Sequence, residues 1–339
     1  MDAVVAGSGP NGLAAALTLA RAGLSVTVVE ASATIGGGTR SEELTLPGFL
    51  HDVCSAIHPL GVASPFFKSL PLSEHGLSWL YPEVQLAHPL PDGEAALLLR
   101  DLEQTASLLG QDGPSYRRLF APLVERWDDL APDLLAPLRF PRHPVATALF
   151  GVKGLFPAHL LSRLVFKNAP GRALFCGMSA HAFLPLEHPL TSAFGLILGT
   201  LGHAVGWPVA KGGSRSLAAA LASCLRSLGG EIVTGCEVKS LADLPAARIV
   251  LLDITERQFE AIAGPRLPDG YQRRLQRYRY GTAEGAIELP SFPAQQRASA
   301  ALRELKPMRS AIEQQLREIE LLPQKILAKA FDFNRSEIG

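Results

Sequence analysis

Apolar and polar positions change period several times along the chain, and each change predicts an element. Asp2 to Ala6 is a short apolar run that reads as a buried parallel strand. Leu13, Leu17 and Ala20 then share one face of a helix running to about Ala22, which Gly23 ends. Ser25 to Val29 predicts a second strand. From about Phe66 to Leu201 the chain is richer in proline and aromatic residues and its period turns helical. There Tyr116, Leu119, Phe120, Leu123, Trp127 and Leu130 form one apolar stripe. His188 to Ala210 contains no Asp, Glu, Lys or Arg, a run long enough for a membrane span. Pro189, Gly195, Gly199, Gly202, Gly206 and Pro208 interrupt it and no basic flank orients it, so it reads as buried core beside a pocket.

Gly212 and Gly213 open a further helix with Ser214 as its N-cap and Leu217, Leu221, Cys224 and Leu228 as its buried face. Gly229 and Gly230 end that helix, and Glu231 to Thr234, Glu237 to Leu241 and Arg248 to Leu252 read as strands, the last closed by Asp253. Near Thr282 the composition shifts to glutamine-rich. Leu305, Met308, Ile312, Ile319, Leu322 and Ile326 fall on a and d positions of a short coiled-coil helix, with Gln315 and Lys329 at the other d sites.

The 339 residues exceed one small core. The expected division is a nucleotide-binding part in two pieces (1–65 and 206–281), an inserted helical substrate domain (66–205) and an unrelated helical tail (282–339). The 32 basic and 32 acidic residues cancel, so no net field favours nucleic acid. Cys54, Cys176, Cys224 and Cys236 form no CxxC and no zinc spacing, which fits buried thiols in a reducing compartment. With the first strand starting at Asp2, no leader is expected and the cytoplasm is the expected location.

The chemistry concentrates in the first forty residues. Gly7, Gly9 and Gly12 follow the opening strand at GxGxxG spacing: the first for a tight turn, the second for close approach to a pyrophosphate, the third for helix–strand packing. Glu30 ends the second strand where ribose hydroxyls would lie, and its charge disfavours a 2′-phosphate and therefore NADP. The continuation Gly36, Gly37, Gly38, Thr39, Arg40 resembles the two-dinucleotide-binding-motif flavoprotein superfamily. That resemblance implies an FAD cofactor, with Gly36, Gly37 and Arg40 on its pyrophosphate and the Val238 backbone on its adenine. Asp52, between His51 and His58, is implied to pass near the flavin.

SAHAFLPLEHPL followed by GHAVGWPVAKGGSRSLAAAL resembles the phytoene-desaturase-related group that includes pyridine nucleotide-disulfide oxidoreductase domain-containing protein 2. By that resemblance His181 and Trp207 line the substrate pocket; no catalytic residue and no metal ligand is assigned. The implied fold is α/β, a Rossmann-like FAD/NAD(P)-binding domain with an inserted, mainly helical substrate domain, incomplete after Gly281, plus the coiled-coil helix. The implied activity is an FAD-dependent desaturase or dehydrogenase acting on an apolar organic substrate, with an unidentified electron acceptor, peripheral membrane contact and an incomplete flavin site. The tail from Ile287 to Phe331 resembles the C-terminal helix of type I restriction-modification specificity subunits, which implies helix pairing without DNA reading. A different reading of the whole chain is a non-catalytic nucleotide-binding interaction protein with a coiled-coil tail.

Overall fold

The computed structural model describes residues 1–90, 94–135 and 140–279. The chain divides into Met1–Arg279 and Tyr280–Gly339, and the fold below is that of the first unit. The coiled-coil reading of Leu305 to Ile326 and the tail resemblance lie outside the described residues.

The elements that position the site are β1 (Ala3–Ala6), α1 (Pro10–Arg21), β2 (Val26–Val29), β3 (Val84–Pro89), β4 (Ala95–Leu99), α2 (Gly113–Glu125), α3 (Ala169–Ser179), α4 (Thr191–Ala204), α5 (Arg215–Ser227), β5 (Glu231–Val233) and β6 (Ile249–Leu252). A four-stranded parallel sheet has the order β6, β1, β2, β5. Ala6 pairs with Leu252 on one side and Val29 on the other, so the carboxyl ends of three strands lie together. The central strands are covered on both faces. Val5 and Val28 pack with Leu13 and Leu17 of α1 and Leu217 and Leu221 of α5, whereas Val4, Ala6 and Val29 pack with Leu244. Burial on both faces explains why β1 and β2 are continuous apolar runs rather than alternating ones.

A second core fills the helical part, where Tyr116, Phe120, Phe166, Phe175, Leu196 and Leu201 pack together. The charge-free run is buried there as α4, and its glycines are contact points. A Cβ at Gly199 would lie 2.4 Å from the Phe120 ring, and one at Gly195 would lie 2.2 Å from the Ser179 hydroxyl.

Several sequence expectations need correction. The region read as helical contains the antiparallel pair β3–β4. Glu237 to Leu241 forms no strand; the chain is irregular there and enters a 3-10 turn at Leu241–Asp243, capped by Ser240 and Asp243. At the end of α5 Leu228 is 45% exposed, and Leu225, fully buried, takes the place expected of it. Ser214 occupies the N-cap position of α5 but makes no side-chain cap, because its hydroxyl bonds elsewhere.

Candidate nucleotide-binding site

β1 lies between β2 and β6, and the strand order reverses between β1 and β6. Ligands of open α/β sheets bind in the crevice at such a switch point, outside the carboxyl ends of the strands. Gly7 leaves β1 with φ +102°, donating its N–H to Val29 O at 2.8 Å. Gly9 is the N-cap of α1, and Pro10 follows at the first helical position, where no amide is needed. The N-terminal end of α1, the positive end of its dipole, thus lies at the end of β1, beside the switch point.

The glycine turn at Gly36 (φ +118°) and Gly37 (φ +51°) lies against the same helix end. A Cβ on Gly37 would lie 3.1 Å from Gly9 Cα, so two backbones approach here with no room for a side chain between them. Gly36 N–H donates to Ser8 O at 3.1 Å. Arg40 Nε donates to Gly37 O at 3.1 Å, and its guanidinium lies 3.7 Å from Glu42.

Glu30 stands at the end of β2, where a ribose partner is expected, and is already engaged. Oε2 accepts from Ser8 N–H at 2.9 Å and from the Ser8 hydroxyl at 2.6 Å, while Oε1 accepts from Ser32 N–H at 2.9 Å. Partial burial pushes the Glu30 carboxyl up, but the Ser8 hydroxyl and the Ser32 and Ser8 amides outweigh that and hold it below its ordinary value. The structure therefore brings together Gly7, Gly9, Gly12, Glu30, Gly36, Gly37 and Arg40. Val238 lies in irregular chain, two residues past Cys236, whose N–H donates to Glu30 O at 2.8 Å.

His181 and Trp207 lie in the helical part, edge to face with ring centroids 6.2 Å apart. Trp207 is buried, and both its donors are used: Nε1–H on Leu198 O at 3.1 Å and the backbone N–H on Gln85 Oε1 at 2.6 Å. His181 is exposed, with Nδ1 3.2 Å from Met178 O.

Sequence reasoning missed the role of one acid and the partners of another. Asp253 follows β6, and its Oδ2 accepts the Gly12 N–H at 2.7 Å. Asp52, expected near a flavin, serves the other helix of the layer: its Oδ1 accepts from Ser214 N–H at 2.7 Å and from the Ser41 hydroxyl at 2.6 Å. Buried His58 completes that group with Nε2 2.8 Å from the Ser214 hydroxyl, which itself donates to Ser55 O. Burial pushes the His58 imidazolium down and the Asp52 charge only partly restores it. The signal for Asp253 was present in the sequence, since an acid directly after an apolar strand is also how Glu30 was found.

Residues 5–70 match the family described as NAD(P)-binding Rossmann-like domain. A limonene dehydrogenase component of Castellaniella defragrans is 30% identical over 147 residues, covering 43% of this chain and 26% of that protein. The 4,4′-diapophytoene desaturase of a Methylomonas species is 26% identical over 252 residues, 70% of this chain and 48% of that one. Over these stretches the chain is similar to a limonene dehydrogenase component and to a diapophytoene desaturase. It spans half or less of the length of these two relatives. In fold, the chain also resembles a putrescine oxidase variant solved in a redesign of cofactor binding, with a TM-score of 0.54 at 22% identity, covering 81% of this chain and 62% of that one.

Proposed function

We propose that this chain is the dinucleotide-binding part of an FAD-dependent oxidoreductase of the desaturase or dehydrogenase type, acting on an apolar organic substrate. The observation that carries this reading is the convergence of Gly9, Gly37 and Glu30 at the switch point of a parallel sheet. The site has the shape such a ligand needs: a Cβ on Gly37 would fill the gap against Gly9, and the Glu30 carboxylate stands at the ribose end. The amides of α1 and the Gly36–Gly37 turn would hold the pyrophosphate, Arg40 would add a cation to it, and Glu30 would accept from ribose. FAD, when bound, supplies a two-electron acceptor for hydride taken from a C–H bond.

The substrate class is argued from the helical part. In the helix Pro144–Gly154, Ala146, Phe150 and Gly154 are buried, while Val145, Leu149 and Val152 face outward at 68%, 51% and 63% exposure. Leu155, directly after this helix, is exposed as well, and so are Leu160 and Leu164 on Ala158–Val165, a helix bent 97° from the first. No Asp or Glu occurs from residue 134 to 186, whereas Arg142, Lys153, Arg163, Lys167 and Arg172 do. Exposed apolar side chains on a stretch of chain whose own charges are all basic suit the surface of an anionic lipid bilayer, from which an apolar substrate would be drawn. No single helix among the described residues is long and apolar enough to cross a membrane; this bent pair reaches that length and apolarity only when its two helices are taken together.

The test is the visible spectrum of the full chain after reconstitution with FAD and removal of excess. Retained flavin bands support the reading, and a folded protein that stays colourless overturns it.

A further inference from the structure

Among the described residues, Asp253 is an acid that lies against all three glycines of the GxGxxG turn. Its Oδ2 accepts the Gly12 N–H at 2.7 Å, and its own N–H donates to Ala6 O at 2.8 Å. A Cβ on Gly9 would meet Oδ2 at 3.2 Å, one on Gly12 would meet it at 2.9 Å, and one on Gly7 would meet the Asp253 carbonyl oxygen at 2.2 Å. A full negative charge therefore sits on the helix end that a dinucleotide pyrophosphate would use. That helix end carries only a partial positive charge, and two anions on it compete.

We infer that Asp253 is a charge-selecting residue of the nucleotide site: its carboxylate satisfies the end of α1 when no nucleotide is present and limits how strongly an anionic ligand is held there. The inference rests on the proposed nucleotide-binding function and adds to it a residue that opposes binding. Arg40, whose Nε is 3.1 Å from Gly37 O and whose guanidinium pairs with Glu42, does not neutralise Asp253 through any ion pair among the described residues. Within α1, the charge meets the Gly12 N–H and the partial positive charge of the helix end. Its opposition applies to phosphate and leaves an uncharged nucleoside unaffected.

Asp253→Asn removes the charge while its amide oxygen still accepts from Gly12 N–H, so the helix end keeps a partner; Asp253→Ser is a smaller second variant. Binding of FAD, ADP and adenosine to the full chain is measured by titration calorimetry at low ionic strength, with a thermal melt of each ligand-free protein as the folding control. The expected result is tenfold or tighter binding of ADP and FAD in at least one folded variant, with adenosine within twofold of the parent. ADP affinity unchanged or weakened in the folded variants, or an equal gain for adenosine, overturns the inference while leaving the proposed function intact. Binding of no ligand to parent or variants overturns both.

Discussion

Glu30 and Ser8 are joined twice, the carboxylate accepting from both the amide at 2.9 Å and the hydroxyl at 2.6 Å of a residue that is fully buried. The acid that would face a ribose thus also fastens the glycine turn to the end of β2. Glu30→Ala should therefore act twice. It should lower the ligand-free unfolding free energy by about 1 to 2 kcal/mol, because Ser8 loses its acceptor. It should also weaken nucleotide binding about tenfold to a hundredfold. Urea titration of the ligand-free protein beside a binding titration separates the two losses; an unchanged urea midpoint would show that the Ser8 contact contributes nothing.

The same contact predicts a pH dependence. The folded Glu30 carboxyl lies below its unfolded value, so its stabilisation is present above the ordinary glutamate range, about pH 4.3, and is lost as pH falls through the folded value. The stability difference between parent and Glu30→Gln should accordingly shrink in acid below about pH 4.3. A difference that stays constant from neutral pH into that range would contradict the assignment.

Histidines supply a second window. His203 Nδ1 faces Arg100 O at 3.1 Å and so carries the proton, leaving Nε2 to accept from Tyr116 Oη–H at 2.8 Å. Burial pushes the His203 imidazolium down, with the Arg100 carbonyl and the Asp101 charge opposing it incompletely, and pushes the Tyr116 phenol up. Both partners are held neutral. The unfolded chain binds a proton near pH 6.5 that the folded chain refuses, so stability falls as pH drops below about 6.5. His58 and His88 shift the same way through burial. His203→Gln should flatten part of this slope in chemical denaturation, and an identical slope would remove His203 from the account.

The nucleotide unit was legible in the sequence because strands buried on both faces are written as unbroken apolar runs, and because Gly7 and Gly36 must adopt left-handed backbone. The β3–β4 pair was not. Leu97 to Leu99 is an apolar run without alternation, equally readable as helix, and the Pro91-Asp92-Gly93 turn signal beside it went unused. Asp253 was visible as an acid closing its strand, but its contact with Gly12, 241 residues away, exists only because β1 pairs with β6. Glu237 to Leu241 failed for the opposite reason: local bonds from Lys239 and Ser240 amides to Asp243 draw that chain out of the ladder.

The glycines divide into those the fold needs and those the ligand needs. Gly7→Ala would force a side chain into φ +102° and against the Asp253 carbonyl, which should cost more than about 3 kcal/mol of stability. Gly9 has an ordinary φ of −63°, and its added methyl would meet only the movable Asp253 carboxylate. Gly9→Ala should change stability by less than about 1 kcal/mol while lowering nucleotide affinity at least tenfold. Equal effects of the two substitutions on melting temperature would refute this division.

The apolar surface of the helical part makes the last prediction, since Val152 and Leu164 are 63% and 67% exposed and can be changed without opening a core. Both border Lys153 or the cavity it shares with Arg118, so apolar and cationic contacts would engage a bilayer together. The full chain should sediment with vesicles containing phosphatidylserine, more weakly with vesicles of phosphatidylcholine alone, and should be released as salt is raised, because each basic residue near an anionic surface contributes about 1 kcal/mol that ions screen. Val152→Glu with Leu164→Glu should reduce sedimentation at least tenfold without shifting the melting temperature, combining lost apolar burial with repulsion. Val152→Ser with Leu164→Ser should leave the salt-sensitive part in place and remove only the part that survives high salt. Equal sedimentation of parent and glutamate variant would mean that this face does not meet lipid, and the argument for an apolar substrate drawn from a membrane would lose its structural support.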